Sequence, residues 1–253
     1  MNDRFQGKVA LVTGGGSGQG AETCRLFAAE GADVAVADWN ADAARAIAEE
    51  IGGRAIVVDV SSEAEVKHMV EAAAQPSGRL DILVNNAGVC YSESGRFKMA
   101  SVVDTPEEAW DAILAINLKG VAMGCKHALP VMAAQGGGAI VNIASINALV
   151  AMSGADAYTA SKGGIVALTR VLARDRAARG IRVNCICPGG VDTPMIAGVV
   201  EQLAAENREL HPIPLGRIAR PVEIARMTLV LASEDASYVT GVILPVDGGA
   251  TAQ

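Results

Sequence analysis

Short runs of Val and Ile alternate along the chain with longer Ala-rich stretches in which apolar residues recur every three or four positions. The first pattern is typical of strands buried on both faces, and the second of amphipathic helices. Seven strands are predicted, over residues 9–12, 33–37, 55–58, 82–84, 139–143, 182–186 and 242–246. This alternation predicts an α/β fold, with one Rossmann-type, doubly wound domain over residues 1–253. Its seven-stranded parallel sheet would carry helices on both faces.

Two helices carry start signals. Ser62 is followed three positions later by Glu65, which is the pattern of a capping box. Thr105 and Glu108 repeat that pattern, with Pro106 at the predicted first helical position. We therefore expect helices to begin after Ser62 and after Thr105.

Two segments interrupt the alternation. Residues 90–104 predict a long surface loop after the fourth strand, and residues 192–215 follow the sixth strand with three prolines around a short helical piece. Ligands of open α/β sheets bind beyond the carboxyl ends of the strands, and both segments leave such ends. Each is therefore either a wall of a substrate pocket or a plain connector.

Composition and charge exclude several classes of protein. Of the 253 residues, 51% are hydrophobic but only 3% aromatic, so Ala, Val, Ile and Leu must fill the core. A net charge of −7 without a basic run argues against nucleic-acid binding. No apolar run reaches the roughly 18 residues of a membrane span, and the N-terminus does not resemble a signal peptide. We expect neither a nucleic acid nor a membrane as partner.

The cysteines favour a reducing compartment. There are five, an odd number, and none forms a CxxC motif, which indicates reduced thiols in a cytoplasmic protein. Cys185 and Cys187 share one face of a predicted strand, but two thiols and three scattered histidines make a poor metal site. We predict buried thiols there and no bound metal.

A glycine-rich loop joins the first strand to the first helix. A side chain in such a loop would hold a pyrophosphate away from the backbone N–H groups and from the helix N-terminus. A glycine cluster can also be an ordinary tight turn, but this position favours a dinucleotide site. The predicted contacts are Gly14, Ser17, Gly18, Gln19 and Gly20.

Asp38 ends the second strand, eighteen residues after Gly20. A carboxylate there accepts hydrogen bonds from the adenosine ribose and repels a 2′-phosphate, and Trp39 and Asn40 supply no cation. The sequence therefore predicts NAD rather than NADP, unless Asp38 only caps the next helix. Further cofactor contacts are predicted where the third and fourth strands end, at Asp59, Val60, Asn86, Ala87 and Gly88.

Tyr158 and Lys162 lie four residues apart on a predicted helix, so both side chains can point into one pocket. A nearby cation stabilises phenolate and lowers the pKa of a tyrosine, which permits proton transfer near neutral pH. Alone, this spacing is often just a surface pair. Together with Ser145, thirteen residues upstream, and the glycine loop, it indicates a nicotinamide-dependent oxidoreductase.

These motifs together resemble the short-chain dehydrogenase/reductase family, in its compact one-domain branch. The resemblance rests on TGxxxGxG at residues 13–20, NNAG at 85–88, NLKG at 117–120 and PGGVDT at 188–193, as well as on Ser145, Tyr158 and Lys162. It covers nearly the whole chain.

The resemblance implies roles for individual residues. Tyr158 would be the catalytic acid/base, Ser145 would hydrogen-bond the substrate oxygen, and Lys162 would bind the nicotinamide ribose and lower the pKa of Tyr158. Asn117 would hold a water of a proton relay. The alternatives are purely structural: Ser145 would be a serine at a strand end, and Asn117 an amide at a helix kink. Further cofactor contacts implied are Pro188, Gly189, Val191 and Thr193.

The predicted function is hydride transfer between NAD and a small to medium secondary alcohol or ketone. The candidate substrate contacts beyond Ser145 and Tyr158 are Asn147, Met152 and Met195, with Tyr91, Ile196, Val199 and His211 as further candidates. Alternatives are a 3-oxoacyl-type carbonyl reductase and a catalytically silent, NAD-sensing binding protein. We also predict a homotetramer, because small residues crowd the predicted helices 105–134 and 155–178. The alternative is that these small residues only pack the two helices onto the sheet of their own chain.

Overall fold

The computed structural model describes residues 3–90, 97, 99–197 and 212–252. One sheet contains all seven predicted strands, and their bounds differ from the predicted ones by at most two residues. The strands are β1 (Val9–Thr13), β2 (Asp33–Asp38), β3 (Arg54–Val57), β4 (Ile82–Asn85), β5 (Gly138–Ile143), β6 (Ile181–Pro188) and β7 (Ile243–Val246).

The strand order is β3-β2-β1-β4-β5-β6-β7, and every pairing is parallel. In register, Leu11 of β1 lies between Ala35 of β2 and Leu83 of β4. The chain runs outward from β1 to β3 and then returns to β4 on the other side. The order therefore reverses between β1 and β4, and a crevice opens there beyond the carboxyl ends.

Helices cover both faces of the sheet, as predicted. They are α1 (Gly18–Ala29), α2 (Ala41–Ile51), α3 (Glu63–Ala74), α4 (Glu107–Leu114), α5 (Gly120–Ala134), α6 (Asp156–Arg176) and α7 (Pro221–Ala232). Residues of α3, α5 and α6 share one core with Val9 and Leu11, whereas residues of α1, α2 and α7 share the other with Ala10 and Val12. Successive residues of β1 thus serve opposite cores, because side chains alternate along a strand.

The predicted cap of α3 is present in part. The Ser62 hydroxyl accepts a hydrogen bond from the Glu65 N–H at 3.4 Å. The Glu65 carboxylate accepts from the Asp59 N–H at 2.9 Å. Glu65 thus anchors the loop that precedes the helix.

The predicted cap at Thr105 is wrong. The Thr105 hydroxyl instead donates to the backbone carbonyls of Ala100, at 3.2 Å, and Ser101, at 2.8 Å. Pro106 is the N-cap residue, and α4 begins at Glu107. The Thr105 hydroxyl therefore takes part in a turn formed by residues 101–105 and does not form the helix cap that the sequence pattern had predicted.

In the described residues, no helix is both long and apolar enough to cross a membrane. All five cysteines are free thiols. Within the same residues, His, Cys, Asp and Glu side chains form no cluster of three or more that could hold a metal ion.

Candidate active site

A cavity of about 600 Å³ lies at the carboxyl ends of the strands and brings together most of the predicted site residues. Its wall includes residues from the glycine loop, from the ends of β2, β4, β5 and β6, and from α6. The predicted residues in the wall are Gly14, Ser17, Gly18, Gln19, Asp38, Asp59, Val60, Asn86, Ala87, Gly88, Ser145, Tyr158, Lys162, Pro188, Gly189, Val191, Thr193 and Met195.

Glycine is required in the loop because other segments approach it closely. A Cβ on Gly14 would lie 2.9 Å from the Ala87 Cα. Gly18 has a φ of +51°, and a Cβ there would lie 3.0 Å from the Thr193 side chain. Gly20 is not among the residues that line the cavity, and its Cβ would lie 2.0 Å from the Gly14 carbonyl oxygen. Gly20 therefore serves the closure of α1 onto the loop and does not line the cavity.

The N-terminus of α1 fits an anionic group. Ser17 is the N-cap residue, but its side chain forms no capping hydrogen bond. Ser17, Gly18 and Gln19 all line the cavity. The backbone N–H groups of the first turn are thus not satisfied by the cap, which is the arrangement that helices use to bind phosphates. The loop fits the pyrophosphate of a dinucleotide.

Asn86 fixes the shape of this loop. Its amide nitrogen donates to the carbonyls of Thr13, at 3.0 Å, and Gly14, at 3.1 Å. Its amide oxygen accepts from the Gln19 side chain at 3.0 Å. The NNAG motif therefore supports the glycine loop from β4 as well as lining the cavity.

Asp38 is held in place at the far end of the cavity. Its two carboxylate oxygens accept from the backbone N–H groups of Gly16, at 2.9 Å, and Asn40, at 3.0 Å. The cap of α2 is Asn40, whose side chain accepts from two backbone N–H groups of that helix. The alternative that Asp38 only caps the next helix is therefore wrong.

The other end of the cavity holds Ser145, Tyr158 and Lys162. Lys162 is buried, and its ammonium donates to the Ile143 carbonyl at 3.1 Å and lies 5.6 Å from the centre of the Tyr158 ring. Burial lowers the pKa of Lys162 to about 8. The predicted one-face placement of Tyr158 and Lys162 on α6 is confirmed.

Asn117 lies behind the cavity wall, in a π-helical turn (Ala115–Lys119) between α4 and α5. Its amide oxygen accepts from the Val89 N–H at 2.7 Å, and its amide nitrogen donates to the Val89 carbonyl at 3.0 Å and to the Ser161 hydroxyl at 3.2 Å. The side chain is fully buried and supports the cavity-lining segment after β4. The water-holding role implied for Asn117 stays a prediction.

The predicted substrate contacts separate into three groups. Met195 and Ile196 line the cavity. Asn147 and Met152 do not: Asn147 is buried behind Ser145, and its amide nitrogen donates to the Met152 sulfur at 3.2 Å. The other candidates, Tyr91, Val199 and His211, lie outside the described residues.

Cys90 lines the cavity, and the sequence analysis included it only as the first residue of the candidate pocket wall 90–104, not as a site residue. Burial raises the pKa of its thiol to about 12, although the Lys162 cation and a hydrogen bond with Tyr158 both act to lower this pKa. Its sulfur lies 3.5 Å from the Met99 sulfur. Trp39, which is 80% exposed, was also missed, and it lines the cavity next to Asp38. Position was the only signal, since Trp39 directly follows Asp38 and Cys90 comes two residues after the NNAG motif.

The wall of one cavity at the carboxyl ends of the strands thus contains a glycine-rich loop that fits a pyrophosphate and a Ser–Tyr–Lys group. This combination is typical of a nicotinamide-dependent oxidoreductase of the α/β class. A family model described as enoyl-(acyl carrier protein) reductase matches residues 14–251. The chain is 44% identical over 257 residues to the cis-4-hydroxycyclohexanecarboxylate dehydrogenase of Sinomonas cyclohexanicum, covering all of both chains. It is 40% identical to the 3-oxoacyl-[acyl-carrier-protein] reductase of Thermotoga maritima, covering 97% of this chain and 98% of that protein.

Among solved structures, the 3-ketoacyl-(acyl-carrier-protein) reductase of Brucella melitensis complexed with NADH is similar, with a TM-score of 0.88 and 35% identity. The match covers 97% of this chain and 99% of that one. The protein belongs to the short-chain dehydrogenase/reductase family. It is an oxidoreductase that acts on CH–OH groups, interconverting secondary alcohols and ketones with a nicotinamide cofactor.

Proposed function

We propose that the protein is an NAD-dependent dehydrogenase of small to medium secondary alcohols, with Tyr158 as its acid/base. The observation that carries this proposal is one cavity that has Ser145, Tyr158 and Lys162 at one end and Asp38 at the other. The groups for proton transfer and the group that selects the cofactor thus face the same space.

The residues act on the substrate oxygen and its proton. The bound nicotinamide supplies the hydride acceptor for alcohol oxidation, and the donor for the reverse reaction. Ser145 donates a hydrogen bond to the substrate oxygen, and the Tyr158 oxygen takes the hydroxyl proton of the alcohol. The Lys162 ammonium stabilises the Tyr158 phenolate electrostatically, and it would hydrogen-bond the ribose of a bound nicotinamide. Because the site is buried, this attraction is stronger than it would be in water.

The preference for NAD rests on charge. The Asp38 carboxylate is fixed where the adenosine ribose would lie, and it disfavours a 2′-phosphate by repulsion. Among the described residues of the cavity wall, Lys162 is the only cation, and it belongs to the opposite end. Nothing described in that wall would neutralise the additional phosphate of NADP.

The substrate end suits an apolar secondary alcohol. The described cavity wall that contains Ser145 also includes Val89, Cys90, Phe97, Met195 and Ile196. Methionine adapts its shape to different ligands, and a surface of this kind favours a carbon skeleton over a polyol. We choose a cyclic secondary alcohol as the first probe because the Sinomonas relative is named for one.

The test is a panel of alcohols with NAD⁺, followed by nicotinamide absorbance. The panel contains cyclohexanol, cis-4-hydroxycyclohexanecarboxylate and 2,3-butanediol. On the best of these, Tyr158→Phe should fold and bind NADH but lose about 10²–10⁴-fold in turnover, because an acid/base is removed. Turnover near that of the wild type would contradict the role of Tyr158.

A 3-oxoacyl-type carbonyl reductase is the second candidate, favoured by the Thermotoga relative. A 3-oxoacyl thioester in the same panel, assayed with NADH and NADPH, separates the two candidates. A catalytically silent, NAD-sensing protein would be expected to have lost Tyr158 or Lys162, and both are present. If the protein turns over no compound of the panel but still binds NADH, that alternative is favoured.

We further propose a homotetramer in the cytoplasm. The surface groove between α5 and α6 has a volume of about 480 Å³ and apolar residues in its wall, among them Leu129, Leu168 and Leu172. Three of the small residues on which the tetramer prediction relied do not support it. Ala109, Ala128 and Ala173 are buried in the protomer's own core. Five free thiols support a reducing compartment.

A further inference from the structure

The Ser145 hydroxyl rests against a buried amide that lies outside the cavity wall. Asn147 is two residues further on, in the 3-10 turn Ile146–Ala148, and is 6% exposed. Its backbone N–H donates to the Ser145 oxygen at 3.2 Å, and its side-chain oxygen lies 3.4 Å from the same atom. Two groups of one residue therefore contact Ser145.

The orientation of this amide is fixed from its other side. The Asn147 amide nitrogen lies 3.2 Å from the Met152 sulfur. A thioether sulfur only accepts hydrogen bonds, so the NH₂ group must face Met152 and the carbonyl oxygen must face Ser145. That oxygen has no proton to give, and so Ser145 is the donor in the contact between them.

The hydrogen bonds of Ser145 follow from this arrangement. A hydroxyl has one proton and two lone pairs. The Asn147 N–H occupies one lone pair, which fixes the position of the oxygen. The proton points to the Asn147 side chain at 3.4 Å, a distance well beyond the roughly 2.7–2.8 Å of a typical O–H···O bond. This bond is weak, and the proton can transfer its contact to a better acceptor at small cost.

We propose that Asn147 is a positioning residue for Ser145. Its side chain holds the Ser145 hydroxyl in place until the O–H group turns to donate a hydrogen bond to the substrate oxygen. The proposal rests on the role given to Ser145 above. It replaces the expectation that Asn147 touches the substrate, because the described wall of the cavity does not include it. Met152 acts one step further back, by keeping the amide from turning over.

The test is a double-mutant cycle of Ser145→Ala and Asn147→Leu, measured as steady-state reduction of cyclohexanone, or of the best ketone in the panel, by NADH. Leucine keeps the branched shape of the asparagine side chain and the backbone N–H but removes the side-chain oxygen. We expect Asn147→Leu to lower kcat about fivefold, below the upper end of the range for one hydrogen bond because the bond that is lost is long, with KM changed less than about twofold. Ser145→Ala should lower kcat about 10²–10³-fold, as the loss of a donor to a reacting oxygen does.

The double variant should be no slower than Ser145→Ala alone, because Asn147 acts only through Ser145. If the two effects multiply, Asn147 acts independently of Ser145 and the proposal is wrong. A wild-type rate for Asn147→Leu would overturn it equally. If Ser145→Ala retains full activity, the role of Ser145 itself fails, which is a different result from either of these.

Met152→Leu keeps the proposal testable if Asn147→Leu does not fold. It removes the acceptor of the amide nitrogen and leaves Asn147 intact. We expect a smaller loss of kcat, about twofold, that again disappears in the Ser145→Ala background. Circular dichroism and NADH titration confirm for every variant that the fold and the cofactor site persist. A loss that remains in the Ser145→Ala background would contradict the proposal.

Discussion

At the scale of single residues, the buried charge of Lys162 lowers the stability of the fold, although the proposed reaction requires it. Lys162 has a pKa of about 8 in the folded protein, against an ordinary value of 10.5. This difference corresponds to roughly 3 kcal/mol of unfavourable free energy when the charged lysine is buried. The protein retains the residue, and its position beside Tyr158 explains why.

We predict that Lys162→Met raises the free energy of unfolding by about 1–3 kcal/mol near pH 7 and abolishes turnover. Because the folded-state pKa is the lower one, the cost of the charge is complete below pH 8. It disappears as the pH rises towards 10.5. The gain in stability should therefore shrink between these two values. Urea unfolding of the cofactor-free protein near pH 7 and near pH 10 measures it.

The exposed Lys67 provides the matched control, since Lys67→Met should change the stability by less than about 0.5 kcal/mol at either pH. A Lys162→Met variant that is less stable than the wild type near pH 7 would contradict the prediction. A gain that grows with pH would contradict it as well.

The proposed preference for NAD can be tested at the Asp38 carboxylate. We predict that the wild type binds NADH more tightly than NADPH, and that Asp38→Asn narrows the ratio about tenfold by removing the repulsion of the 2′-phosphate. Fluorescence titration with both cofactors measures the ratio. Asp59→Asn is the control and should leave this ratio unchanged, because Asp59 also lines the cavity but does not lie at the end of β2, where the adenosine ribose is expected. A wild type that prefers NADPH would show that Asp38 has been misinterpreted.

At the scale of elements, the seven strands were predictable from pattern, but one helix was not. Residues 105–134 were expected to form one long helix, with a kink at Asn117 as the alternative to a proton-relay role for that residue, and the structure contains a π turn at Ala115–Lys119. The cause lies outside the helix, because Asn117 bonds both backbone polar groups of Val89, twenty-eight residues away in sequence. The apolar period of the helix carries no information about such a contact.

In the first turn of α1, helix propensity favours alanine at position 20 whereas close packing excludes it. We expect the effect of packing on stability to be the larger one. Alanine in place of a helical glycine ordinarily stabilises by about 0.5–1 kcal/mol. At Gly20, however, the added Cβ would lie 2.0 Å from the Gly14 carbonyl oxygen. We therefore predict that Gly20→Ala destabilises by about 1–3 kcal/mol and weakens NADH binding, because α1 must move away from the loop.

Thermal unfolding and NADH titration check this prediction. Ala46→Gly, at an exposed site of α2, sets the scale of propensity alone and should destabilise by about 0.5–1 kcal/mol without affecting NADH. An increase in stability for Gly20→Ala would mean that the loop and α1 are not packed as closely as described.

At the scale of the whole molecule, the sequence predicted the sheet and the ends of the cavity because both depend on pattern and chain order. It could not predict which candidate side chains reach the cavity. Asn147 and Met195 were equivalent candidates, yet only Met195 lines the wall. Asn147 belongs to a turn that faces back towards Ser145, and a local turn of three residues leaves no mark in hydrophobic periodicity.

Assembly is the last property that pattern predicts. On α6, Gly164 packs against Leu118 of its own chain, whereas Ala167 is exposed and Val171, one turn on, is 55% exposed. An apolar helix face that the protomer leaves uncovered is suited to pairing across a two-fold axis. We predict a wild-type tetramer, which Ala167→Arg converts to a smaller species because four charges would be buried. Light scattering after gel filtration at micromolar concentration measures the mass, and Ala46→Arg on α2 should leave it unchanged. A monomeric wild type would remove the assembly and leave the assignments of the active site as they are.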